Sequence, residues 1–158
     1  MQKNSFSVIK GNYSEIYALY NSSHKSSGVD SDKLLNADFI SSVAAKLSKK
    51  YKAVILASGK TDIITNGKKT SLVHNGTSQL SNLTGTGCML GAVCASFISV
   101  CEPFIAAQNS CIYLGICGEL SKTQNGIGSF MQNLMDKLSS VCNEEINKHI
   151  KTEVTQIE

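Results

Sequence analysis

Apolar residues along this chain fall into runs whose period changes from one to the next, and each change marks an element. Ser7 to Lys10 reads as a short apolar strand ending at Gly11-Asn12. Asn12 carries a side-chain oxygen able to cap a helix running through Leu19. Glu15 falls at the third position of that helix, where a carboxylate closes a capping box or meets the positive end of the helix dipole. Asn21 to Asp32 is a polar loop. From Asn36 to Lys50, Phe39, Val43 and Leu47 stand four apart and predict an amphipathic helix, with lysines toward its C-terminal end. Lys52 to Ala57 reads as a buried strand whose run AVILA is continuously apolar and not alternating, the pattern of a parallel strand covered on both faces. Ser58-Gly59 follows at its carboxyl end, where open α/β sheets bind ligands.

Asp62 to Thr65 and Lys69 to Val73 flank Asn66-Gly67, a strong hairpin signal because both residues tolerate positive φ. Beyond them lies NLTGTGCMLGAVCASFISV, from Asn82 to Val100. Gly85 and Gly87 alternate with Thr84 and Thr86, and the run then turns helical, with Met89, Val93, Phe97 and Val100 three or four apart. A glycine loop feeding a helix N-terminus lets backbone approach a ligand closely and presents unpaired N–H groups to an anion. Two helices are predicted next, Cys88 to Cys101 and Pro103 to Leu120, with Pro103 suited to a first helical turn. Gly115 and Gly118 allow close packing. Lys122 to Ser129 is a turn, a last helix spans Phe130 to Val141, and the polar tail after His149 is expected to fray.

Composition narrows the possibilities. A chain of 158 residues with 42% hydrophobic and 17% charged residues suits one globular domain, taken here as residues 1–150 with a polar tail at 151–158. A net charge of +3, scattered lysines and 6% aromatics argue against nucleic acid. No uninterrupted apolar run reaches the ~20 residues of a membrane span. No apolar h-region follows Met1, so a reducing cytoplasm and free thiols are expected for the six cysteines. Cys94, Cys101, Cys111 and Cys117 lie in apolar segments as packing residues, and no CxxC pair suggests zinc. His74 reads as structural.

Thr84-Gly85-Thr86-Gly87-Cys88 resembles the catalytic loop of the hydroxyethylthiazole kinases, a ribokinase-like family in which a Cys stands where most relatives have an Asp. Val8-Ile9-Lys10-Gly11-Asn12-Tyr13-Ser14-Glu15-Ile16 resembles that family's Arg-Gly-Asn-x-x-Glu-Ile motif, Ser58-Gly59 its Thr-Gly pair, and Asn125-Gly126-Ile127-Gly128-Ser129-Phe130 its Gly-Pro-Gly-Ser-Phe turn. Lys10 keeps the charge of the usual Arg without its two-pronged grip on phosphate. The fold implied is α/β and ribokinase-like: a mainly parallel sheet with covering helices and a β-hairpin, matching the C-terminal part of the family with its N-terminal strands absent.

The resemblance implies transfer of the γ-phosphoryl of ATP to the alcohol of hydroxyethylthiazole, a salvage step in thiamine biosynthesis. It assigns Cys88 to catalysis, as a base or as the group that positions the hydroxyl. It also assigns Lys10, Ser58, Thr86 and Gly87 to ATP and phosphate, Gly85 to the substrate, and Glu15 to Mg²⁺. Family members form trimers with active sites between subunits. Two other readings are another ribokinase-like small-molecule kinase, which Cys88 argues against, and a catalytically silent nucleotide-binding or assembly subunit.

Overall fold

The computed structural model describes residues 6–21 and 36–157. Strand β1 (Val8–Asn12) passes directly into helix α1 (Tyr13–Tyr20). The Asn12 side chain accepts from the Glu15 amide at 2.8 Å and the Glu15 carboxylate accepts from the Asn12 amide at 2.7 Å. That is the reciprocal capping box expected from these residues. Helix α2 (Ala37–Tyr51) begins under an Asn36 cap that accepts from the Phe39 amide. Strands β2 (Val54–Ser58), β3 (Asp62–Thr65) and β4 (Lys69–Val73) follow. Next come α3 (Ser78–Ser81), α4 (Thr86–Ile98), α5 (Pro103–Leu120), α6 (Ile127–Ser140), α7 (Asn143–His149) and β5 (Thr152–Gln156). Of the polar loop read at Asn21 to Asp32, residues 22–32 lie outside the described residues.

The five strands form one sheet in the order β1-β2-β3-β4-β5. Only β1 and β2 are parallel; the other three pairings are antiparallel. The sheet is therefore not mainly parallel, as the continuous apolar run of β2 suggested. Two tight turns, at residues 59–61 and 66–68, reverse the chain where a parallel strand would need a long crossover. In the second turn only Gly67 takes positive φ, at 79°. Asn66 contributes through its side-chain oxygen, which accepts from the amides of Lys68 and Lys69 at 3.0 and 2.9 Å.

The C-terminal segment differs from the frayed tail expected of it. Residues 152–156 pair antiparallel with β4, extended by bonds from the His74 amide to the Lys151 carbonyl and from the Ile157 amide to the Lys68 carbonyl. Polarity misleads here: Thr152, Val154 and Thr155 are β-branched, and an edge strand with a solvated face does not need an apolar run. A small network fastens the segment. Asn75 donates to the His149 carbonyl at 2.7 Å and accepts from the Lys151 amide at 2.9 Å, while Lys151 pairs with Glu119 at 2.8 Å.

Two apolar layers cover the sheet. Ile55, Ala57 and Ile63 face α1 and α2, meeting Ile16, Ile40, Val43, Ala44 and Leu47. Val54, Leu56, Ile64 and Val73 face the opposite way, toward Leu90, Cys94, Phe104, Ile116, Phe130 and Leu134. Each fully buried aliphatic side chain contributes about 1.5–3 kcal/mol through removal from water. The buried stripe of α2 is Ile40, Val43, Ala44 and Leu47, so Phe39 falls off it, stays exposed, and sits edge-on against Tyr17. Gly115 and Gly118 do permit close approach. A Cβ on either would lie 2.7 Å from Asn75 or 2.6 Å from Leu80.

Candidate active site

The register of the parallel pair decides which side chains share a face. Lys10 lies beside Leu56 and Asn12 beside Ser58. Because Val8 and Leu56 belong to the layer under α4 and α5, strand alternation puts Lys10, Asn12 and Ser58 on that same face. Apolar at its start, this face becomes polar toward the carboxyl ends of β1 and β2.

Helix α4 begins above it. Its N-cap is Gly85, with φ at 101°, a conformation other residues adopt only under strain, and no side chain caps the helix. The first-turn amides therefore lack intrahelical acceptors, and the positive end of the helix dipole stays open. Lys10 reaches it from below: a Cβ on Gly87 would lie 3.6 Å from Lys10 Nζ, and one on Gly91 would lie 3.9 Å from Lys10 Cδ. Gly87 and Gly91, one helical turn apart, thus form a channel free of side chains for the lysine. Gly87 and Lys10, far apart in sequence, meet here. Gly91 stands within the otherwise mostly apolar run of α4.

The other residues occupy distinct positions. Cys88 is exposed on the first turn of α4. Thr86 donates its hydroxyl to the carbonyls of Leu80 and Leu83 at 3.0 and 3.2 Å, which ties the loop to α3. Its amide also donates to the Leu83 carbonyl, at 3.5 Å. Ser58 is half-buried and its hydroxyl contacts the Gly11 carbonyl at 3.4 Å. Glu15, exposed, uses Oε2 in the capping box, and Gly11 leaves room for the carboxylate to fold back. Among the described residues, no group of three or more His, Cys, Asp and Glu could hold a metal ion. An apolar hollow lined by Phe6, Val8, Ile9, Leu19 and Tyr51 lies along the free edge of β1 and includes none of these residues.

Asp62 belongs to this region although nothing in the sequence marked it beyond the start of a strand. Its carboxylate accepts from the Gly59 amide at 3.0 Å. Burial drives its pKa up to about 6 against the opposing pull of the Gly59 amide, Cys111 and Lys10. The residue is only partly buried, and its hydrogen bond to the Gly59 amide lies at the surface. Neighbouring groups respond. Burial and the Asp62 charge push the Cys111 thiol well up, and burial followed by the same charge raises Tyr13 to about 12. A carboxylate among apolar helices could have been found in the sequence only from the contact between β3 and α5.

A family model described as the hydroxyethylthiazole kinase family matches residues 1–144. The chain belongs to this family. Among similar proteins, a hydroxyethylthiazole kinase of Thermoanaerobacter pseudethanolicus is 42% identical over 151 residues, covering 93% of this chain and 56% of that protein. Hydroxyethylthiazole kinase 2 of Clostridium botulinum (strain Langeland) is 38% identical over 149 residues, covering 91% and 56%. The structure of a hydroxyethylthiazole kinase from Pyrococcus horikoshii OT3 superimposes with a TM-score of 0.83 at 26% identity, covering 94% of this chain and 55% of that one. The chain thus spans little more than half the length of these relatives. The α/β fold is that of the family, and no helix among the described residues is long and apolar enough to cross a membrane.

Proposed function

We propose that this chain carries the nucleotide- and phosphoryl-handling half of a hydroxyethylthiazole kinase, which transfers the γ-phosphoryl of ATP to the primary alcohol of the thiazole. The observation that supports this most is the uncapped start of α4 with Lys10 beneath Gly87, in a chain of this family. Phosphoryl transfer needs alignment and charge neutralisation more than covalent chemistry. Amides from Gly85 to Cys88 would stabilise charge on the transferring group, with Thr86 turning its amide from the Leu83 carbonyl to the phosphate. Lys10 and the Ser58 hydroxyl would steady the nucleotide phosphates. Gly85 would leave room for the substrate, and Cys88, exposed on the first turn, would lie beside its hydroxyl as base or positioner.

Mg²⁺ fits this donor set. That ion takes one or two carboxylates plus substrate phosphates and water, so it does not need a cluster of protein ligands. Glu15 would hold it through the oxygen left over from the capping box, and the chemistry the ion would supply is neutralisation of phosphate charge. As in the family resemblance, the enzyme would work in the cytoplasm as a homotrimer with active sites between subunits.

The test is a coupled ADP-release assay on the purified chain with ATP, Mg²⁺ and hydroxyethylthiazole. Thiazole-dependent release is expected, lost in Cys88→Trp and retained or raised in Cys88→Asp. Unchanged turnover in the Trp variant would remove Cys88 from the site. ATP binding without turnover would identify a silent nucleotide-binding subunit.

A further inference from the structure

The turn at Ser58-Gly59 is held from two sides. From within, Asp62 accepts the Gly59 amide proton at 3.0 Å. On the other side Gly59 packs against the Tyr13 ring so closely that a Cβ would lie 2.7 Å from it, and the Tyr13 hydroxyl donates to the Thr61 carbonyl at 2.6 Å. The Cys111 side chain on α5 and the Lys10 charge on β1 both favour the ionised form of Asp62. Partial burial disfavours the charge on Asp62, and the Gly59 amide, Cys111 and Lys10 offset part of that cost. The three neighbouring β3 positions are apolar or hydroxyl-bearing and fully buried: Ile63, Ile64 and Thr65.

We propose that Asp62 is a positioning residue for phosphate handling, holding the Ser58-Gly59 turn against the site and orienting it toward Lys10. The role rests on the kinase function proposed above, and it has a physical core that is independent of turnover. If Asp62 is what fixes the turn, the acceptor oxygen matters more than the charge. Asn keeps that oxygen and Ala removes it.

Two readouts on Asp62→Ala and Asp62→Asn test this, with thermal melting to confirm that each variant is folded. The first is hydrogen exchange at the Gly59 amide, expected to quicken by about an order of magnitude in Asp62→Ala and to stay near wild type in Asp62→Asn. The second is the ADP-release assay. In Asp62→Ala the KM for ATP should rise between about tenfold and a hundredfold, with a smaller change in kcat, while Asp62→Asn stays within about threefold of wild type.

Unchanged Gly59 exchange in a folded Asp62→Ala overturns the proposal. Faster exchange with an unchanged KM for ATP overturns the positioning role and leaves the kinase function standing. Equal loss in the Asn and Ala variants refutes the acceptor account. Absence of both ATP binding and turnover in the wild type would instead strike the kinase function and the positioning role with it, whatever the exchange result.

Discussion

Two helices begin near the carboxyl end of β1, and they begin in opposite ways. Helix α1 is sealed by its own residues, Asn12 and Glu15 each satisfying the other's backbone amide. Helix α4 starts on Gly85 with no capping side chain. Both starts concentrate unpaired N–H groups and partial positive charge. At α1 a local carboxylate neutralises them; at α4 the chain supplies only glycines and, from a distant strand, a lysine that would repel the dipole's positive end. Such a start is the one proposed above to receive phosphate.

The contrast should break first at Gly87. A Cβ there would already lie 3.6 Å from the Lys10 ammonium, so the branches of Gly87→Val would occupy the space between lysine and helix. Turnover measured as kcat/KM is expected to fall on the order of a thousandfold, about 4 kcal/mol of transition-state stabilisation, with the melting temperature within a few degrees of wild type. Unimpaired turnover in that variant would mean the open start of α4 holds no phosphate.

Removing the lysine's charge is the milder perturbation. Lys10→Met keeps the stem under Gly87 and Gly91 and deletes one charge-assisted contact to phosphate, worth about 1.5–3 kcal/mol, or about tenfold to a hundredfold in the KM for ATP. The loss should shrink at high salt only if the contact is solvated. A variant with wild-type ATP affinity would leave α4 as an anion site without Lys10.

Much of this could be read from the residues because the deciding interactions were local. The Asn12 to Glu15 box and the glycine loop before α4 each depend on residues within a few positions of one another. Pro103 likewise opened α5 as its missing amide allows. What stayed hidden depended on partners far away in sequence. The apolar run of β2 suits either strand direction, and the tight turns after it made the sheet mostly antiparallel. Residues 152–156 gained a structure only because β4 had a free edge. Asp62 acquired meaning from Gly59, Cys111, Lys10 and Tyr13, four residues on four different segments. Among the proposed site residues, the ones the sequence pointed to share short motifs; Asp62 has one local bond, to the Gly59 amide, and its remaining neighbours come from distant segments.

The finest test falls on Glu15, where the sealed start and the proposed metal site make competing demands on one carboxylate. Oε2 is already engaged by the Asn12 amide at 2.7 Å. Gln supports a capping box as Glu does, so Glu15→Gln keeps the seal while deleting the charge, and stability should change by no more than about 0.5 kcal/mol in a denaturant melt. If the remaining oxygen serves Mg²⁺, the Mg²⁺ concentration for half-maximal ADP release should rise about tenfold, since this hard cation favours a charged carboxylate over a neutral amide. An unchanged Mg²⁺ requirement beside an unchanged melt would assign Glu15 wholly to α1. The two helix starts would then differ completely, one closed for stability alone and the other open for chemistry.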